Sequence, residues 1–122
     1  MIDHRQTARA IALGRSAIGA TMLITPARLG EAWVGPGDPA AARVLGRALG
    51  ARDLALGVGT FRALERGEPV ATWVRLGALC DVVDLAATVL TIRRIGLRRA
   101  LPVMLVAGAG AALGAAAADG VD

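Results

Sequence analysis

Apolar residues in this chain gather into four long stretches, and Pro and Gly punctuate the gaps between them. The first covers about 7–25 and stops at Pro26. The second covers 40–66, entered through Asp38-Pro39 and left at Arg66-Gly67. The third covers 69–93, entered through Glu68-Pro69, and the fourth covers 100–118. An acid followed by Pro suits the first turn of a helix, because the acid faces the positive end and Pro has no N–H to leave unsatisfied. Each stretch is about 19 to 27 residues long, and at 1.5 Å per residue that is enough to cross roughly 30 Å of hydrocarbon. The pattern therefore predicts an all-α, single-domain, four-helix transmembrane bundle with short loops.

The fourth stretch is the plainest span, since Leu101 to Ala118 contains no charge and Pro102 lies near its start. The second and third carry the most specific pattern. Gly46, Gly50, Asp53, Gly57 and Thr60 recur at intervals of four, three, four and three, and Gly77, Asp81, Asp84, Thr88 and Thr91 repeat the same intervals. Each set forms one narrow small-and-polar stripe on its helix. Gly46 and Gly50 also form a GxxxG pair, so the two stripes are expected to pack against each other, with Gly57 and Gly77 as further points of close approach.

Depth follows from the turns. A hairpin turning near Gly67 brings Asp53 level with Asp81, and a turn near Trp33 to Gly35 brings Arg15 within about one helical turn of Asp53. Arg15, Arg52, Asp53, Asp81 and Asp84 are thus expected to converge near mid-bilayer, with Arg47 able to join. Charges at that depth cost about 2.5 to 3.5 kcal/mol each unless they pair, face a wet cavity or lose their charge. The cluster suits a structural ion network that sets helix register. The alternative is the working site of a small intramembrane enzyme or proton-coupled transporter using Asp53, Asp81 and Asp84. Arg43, Arg62 and Arg75, near helix ends, are expected to snorkel to the interface.

Composition agrees with lipid as the solvent. The chain is 55% hydrophobic but only 2% aromatic, which would leave a soluble core of 122 residues short of large side chains. A soluble helical bundle with buried salt bridges is the alternative, and the charges in the first half of the second helix are its best support. The net charge of +4 comes from Arg alone, and these arginines are dispersed along the chain. With only Phe61, Trp33 and Trp73 as aromatic side chains, no stacking platform for nucleic acid is expected. The implied surroundings are a cell membrane, crossed several times, and Arg93 to Arg99 places the third loop in the cytoplasm by the positive-inside tendency. Gly-rich faces, Gly46/Gly50 and Gly110/Gly114, allow a homo-oligomer or a membrane partner protein.

Familiar site chemistry is missing. The single Cys80 excludes an internal disulfide, and His4 has no second ligand at a metal-site spacing, so neither metal nor cofactor is expected. No Gly-x-Ser-x-Gly elbow, Lys-bearing phosphate loop, HExxH or CxxC occurs. The run Arg47-Ala-Leu-Gly50-Ala-Arg52-Asp53-Leu-Ala-Leu-Gly57 resembles the second helix of a group of small, uncharacterised, mostly actinobacterial proteins with four predicted membrane helices. That resemblance implies a four-span architecture with Gly50, Arg52, Asp53 and Gly57 at its centre, and implies no activity. The expected role is that of a structural or accessory membrane protein.

Overall fold

Five helices, not four, make up the protein in the computed structural model, which describes residues 2–122; no strand occurs among the described residues. They are α1 (His4–Ile24), α2 (Pro26–Val34), α3 (Pro39–Arg66), α4 (Ala71–Ile95) and α5 (Leu97–Ala118). The sequence expectation of a simple connection between Pro26 and Asp38 gives way to α2. Pro26 ends α1 by removing an N–H, yet it sits at the first turn of a new helix, where that loss is harmless. The chain bends there by 104°, so α2 lies across the bundle instead of extending α1. Its buried residues, Pro26 and Gly30, face α3, while Arg28 is exposed.

Local signals explain the other boundaries. Asp3 caps α1 by accepting from the Gln6 N–H at 3.1 Å, and Asp38 caps α3 by accepting from Ala40 N–H at 2.8 Å. Gly67, with φ of 67°, closes α3 in the left-handed conformation that a side chain disfavours. At α4 the expected Glu68-Pro69 start is displaced to Ala71. The acid that meets the first amides comes from the far end of the chain: Asp122 Oδ1 accepts from Val70 N–H at 2.6 Å and Ala71 N–H at 3.1 Å.

α1 runs antiparallel to α3, and α4 to α5. Glycine sets the closeness of the first pair. A Cβ on Gly19 would lie 2.5 Å from the Leu54 amide nitrogen, and one on Gly46 would lie 2.5 Å from the Pro26 carbonyl oxygen. Both contacts are with backbone, which cannot move aside. The Gly stripe of α3 therefore packs on α1 and α2, and the expected interlock of that stripe with Gly77 does not occur. Gly114 of α5 instead receives Ala78 of α4, so the Gly46/Gly50 and Gly110/Gly114 faces are both covered within the chain.

The two ends of the bundle differ. At one, the N-terminus, the α3–α4 turn and the C-terminus meet over a core of Ala8, Ala63, Val70, Val74, Ala117 and Val121, each no more than 2% exposed. Arg5 ties this end together by donating to Leu64 O and Val121 O. At the other end α2 roofs a cavity.

Length and composition make α5 the one helix among the described residues able to cross a membrane by itself; α1 and α2 pass that test only when taken together across their bend. The expectation of four spans is thus matched by one clear candidate. The reason lies in the arginines and carboxylates carried by α1, α3 and α4.

Candidate functional site

Arg15, Arg52, Asp53, Asp81 and Asp84 meet in space. α1 presents Arg15, α3 presents Arg52 and Asp53, and α4 presents Asp81 and Asp84 one turn apart. Acids and arginines alternate in one continuous ladder. Asp81 Oδ2 accepts from Arg15 Nη2, Arg15 Nη1 donates to Asp53 Oδ1 at 3.2 Å, and Arg52 Nη2 donates to that same oxygen at 3.1 Å. Arg52 then grips Asp84 with both arms of its fork, Nη1 to Oδ1 at 3.0 Å and Nη2 to Oδ2 at 2.7 Å. A bidentate guanidinium–carboxylate pair of this kind is among the strongest and most directional of side-chain contacts.

The inner part of the ladder is buried, with Arg15, Asp53 and Asp81 each only 8% exposed, while Arg52 and Asp84 are half-buried. Gly77 makes room for it: a Cβ there would lie 2.8 Å from Arg15 Nε. On the other side, a Cβ on Gly110 would collide with the Asp81 carboxylate. Both glycines owe their identity to the volume of a charged side chain, not to helix-on-helix packing. No fully buried side-chain nitrogen or oxygen among the described residues lacks a partner. Three carboxylates nevertheless face two guanidinium groups, and the Oδ2 of Asp53 and Oδ1 of Asp81 accept no hydrogen bond among the described residues.

Two of the ladder's contacts hold the α1–α3 unit to the α4–α5 unit: Arg15 to Asp81 and Arg52 to Asp84. Trp33 adds a third tie by donating from Nε1 to Thr88 Oγ1 at 3.0 Å, and Thr88 donates onward to the Asp84 carbonyl. Between the two units lies a cavity of about 520 Å³, within the ~300–1,000 Å³ range typical of small-molecule sites. Ile18, Met22, Leu29, Val103 and Val106 give it an apolar wall. The ladder forms its floor, while Arg98 and Arg99, at the start of α5, stand at its mouth.

Arg47 does not join the ladder; it is exposed and lines a shallow groove with Arg28 and Arg43 beside the α1–α2 bend. Thr91, the last member of the α4 stripe, is likewise exposed. Sequence periodicity misses the cavity and its arginines. Arg98 and Arg99 read only as loop charges, because nothing local reveals that α2 folds back toward them. No group of three or more His, Cys, Asp or Glu side chains suited to holding a metal occurs among the described residues. No known protein family matches the chain, and neither a curated protein nor a solved structure matches it.

Proposed function

We propose that the chain is a multi-pass membrane protein that holds an amphiphilic molecule in its interhelical cavity, as an accessory or binding protein, with the Arg–Asp ladder as its structural clasp. One observation carries this reading: polarity is inverted relative to a water-soluble fold. The interior is rich in Ala, Gly and Thr, with a few larger aliphatic side chains such as Val70 and Val74, and it encloses Arg15, Asp53 and Asp81, while Leu90 is 85% exposed, Ile24 79% and Leu105 65%. Only 22% of the apolar window of α5 is buried. In water, so many exposed large aliphatic side chains would be unfavourable. In lipid it is the expected exterior, and small residues inside are what allow helices to approach.

The charges of α1, α3 and α4 fit the same picture. Between Arg75 and Arg93, α4 bears only Asp81 and Asp84, and each is paired with a guanidinium. Paired charges facing a bundle interior are tolerated in membranes where lipid-facing ones are not. The end bearing Arg28 to Arg47 and Arg93 to Arg99 is assigned to the cytoplasm.

The test is extraction: the tagged chain is expected to stay in the membrane pellet through a carbonate wash and to leave only with detergent. Appearance in the soluble fraction would favour a soluble helical bundle and overturn the reading. A second reading, an intramembrane enzyme or proton-coupled transporter, draws on the excess carboxylate and on the free oxygens of Asp53 and Asp81 beside the cavity. An Asp53→Asn, Asp81→Asn protein separates the two. A weakened or misassembled bundle supports the clasp, whereas normal folding with loss of a transport activity supports the alternative.

A further inference from the structure

We infer that the cavity is a site for an anionic phospholipid, whose phosphate is held by Arg98 and Arg99 while one acyl chain lies along the apolar wall toward the ladder. The inference deepens the proposed membrane-binding role and rests on it. The geometry is graded along the cavity's long direction. From Arg98 down α5 the lining residues run through Pro102, Val103 and Val106 to Ala107 and Gly110, about 18 Å of helix at 1.5 Å per residue. Charge is therefore confined to the mouth and the floor, with apolar surface between.

The ladder arginines at the floor are engaged by carboxylates. Arg98 and Arg99 are exposed, and neither forms a salt bridge or side-chain hydrogen bond among the described residues. Arg99 lies close over Gly35 in the α2–α3 connection: a Cβ there would be 3.7 Å from the guanidinium carbon. Its side chain thus lies against the α2–α3 connection at the edge of the cavity it lines.

The surrounding field has the same sign. Arg28, Arg43, Arg47, Arg93, Arg94, Arg98 and Arg99 share this end with only Glu31 and Asp38. At the sealed end five arginines, Arg5, Arg9, Arg62, Arg66 and Arg75, are balanced by five carboxylates, Asp3, Glu65, Glu68, Asp119 and Asp122. Basic side chains at the level of lipid phosphates attract anionic headgroups, and a basic pocket between helices on the cytoplasmic side is a recurrent headgroup site. An apolar recess immediately beneath distinguishes a lipid from a free anion.

Trp33 lines the cavity, while Trp73 packs over Gly59 toward the sealed end. The full chain with Trp73→Phe, reconstituted in phosphatidylcholine nanodiscs, therefore reports the cavity through Trp33 fluorescence. Phosphatidylglycerol brominated on its acyl chains is expected to half-quench Trp33 at a mole fraction at least fivefold lower than equally brominated phosphatidylcholine. Arg98→Gln and Arg99→Gln should each weaken that preference by about fivefold at low salt, and Val103→Phe, which fills the recess with both arginines intact, should remove it. Arg93→Gln with Arg94→Gln, at the same end but outside the cavity, should leave it in place. Equal quenching by the two lipids overturns the site, as does an equal loss in the Arg93/Arg94 variant, which would mark a diffuse basic surface. A chain that leaves the membrane in carbonate fails the underlying reading and the site together; a chain that stays and shows no lipid preference fails the site alone.

Discussion

The sealed and the roofed ends of this bundle are built from the same helices by opposite means. At the sealed end Ala8, Ala117 and Val70 are fully excluded from solvent, and the carboxylate of Asp122 substitutes for a missing cap on α4. Contact there is chiefly between closely packed apolar side chains, with Arg5 and Asp122 binding backbone groups around them. At the roofed end the two helical units are held apart, joined through Arg15–Asp81, Arg52–Asp84 and the Trp33–Thr88 hydrogen bond. Directional polar contacts can fix a distance between helices without filling the space between them, which apolar packing cannot do. That difference is why the cavity lies on one side of the ladder and not the other.

The largest expected effect comes from breaking the ladder at its shared cation. Arg15→Met leaves Asp53 and Asp81 buried without their common partner and should lower stability by about 3 to 5 kcal/mol, read as a shift in denaturant-induced unfolding in detergent. Adding Asp53→Leu and Asp81→Leu to that variant should recover most of the loss, because an apolar replacement of a whole buried network is often neutral. Failure to recover would mean that the carboxylates do more than balance Arg15.

Steric changes probe the two ends directly. Ala117→Phe, at a site with no exposed surface, should cost about 3 kcal/mol through overpacking and lower the thermal midpoint accordingly. Gly19→Ala, which sets a methyl group against the Leu54 amide, should cost about 1 to 3 kcal/mol and loosen the α1–α3 contact, visible as faster hydrogen exchange in both helices. Asp122→Ala removes the acceptor at the start of α4 and should cost about 1 kcal/mol, confined to fraying of the first turn. Smallest of all, Val103→Phe on the cavity wall should change stability by no more than about 0.5 kcal/mol. If Val103→Phe proves as damaging as Ala117→Phe, the roofed end is packed as tightly as the sealed one and the contrast between them fails.

Much of the helix content was legible in the sequence because Pro, Gly and the acids beside them act locally. Asp38-Pro39 and Gly67 bound α3 as their chemistry predicts. The charged cluster was legible in part: Asp81 and Asp84, three apart, share a face of α4, and counting from the α3–α4 turn put Asp53 level with Asp81. Arg15 meets them as well, although the turn near Trp33 to Gly35 from which its level was counted is replaced by the end of α2. Helix α2 escaped because nine residues with three glycine or proline neighbours on its far side, Gly35, Pro36 and Gly37, read as connection. The helix start at Ala71 escaped because its cap, Asp122, stands 51 residues away along the chain.

What the sequence determines by itself is periodic: the spacing of Gly and Asp on α3 and α4, the uncharged run of α5, and the imbalance of Arg over Asp and Glu. Periodicity defines a face but not the neighbour that covers it. Only the tertiary structure decides that the α3 glycines receive α1 and α2 in place of α4, and that Gly77 accommodates a guanidinium in place of a helix. It alone brings Arg98 and Arg99 to the mouth of a cavity roofed by α2. The physical reason is the 104° turn at Pro26. It reassigns which helices touch, through backbone contacts and ion pairs between residues far apart in the chain, and no local pattern encodes those pairings.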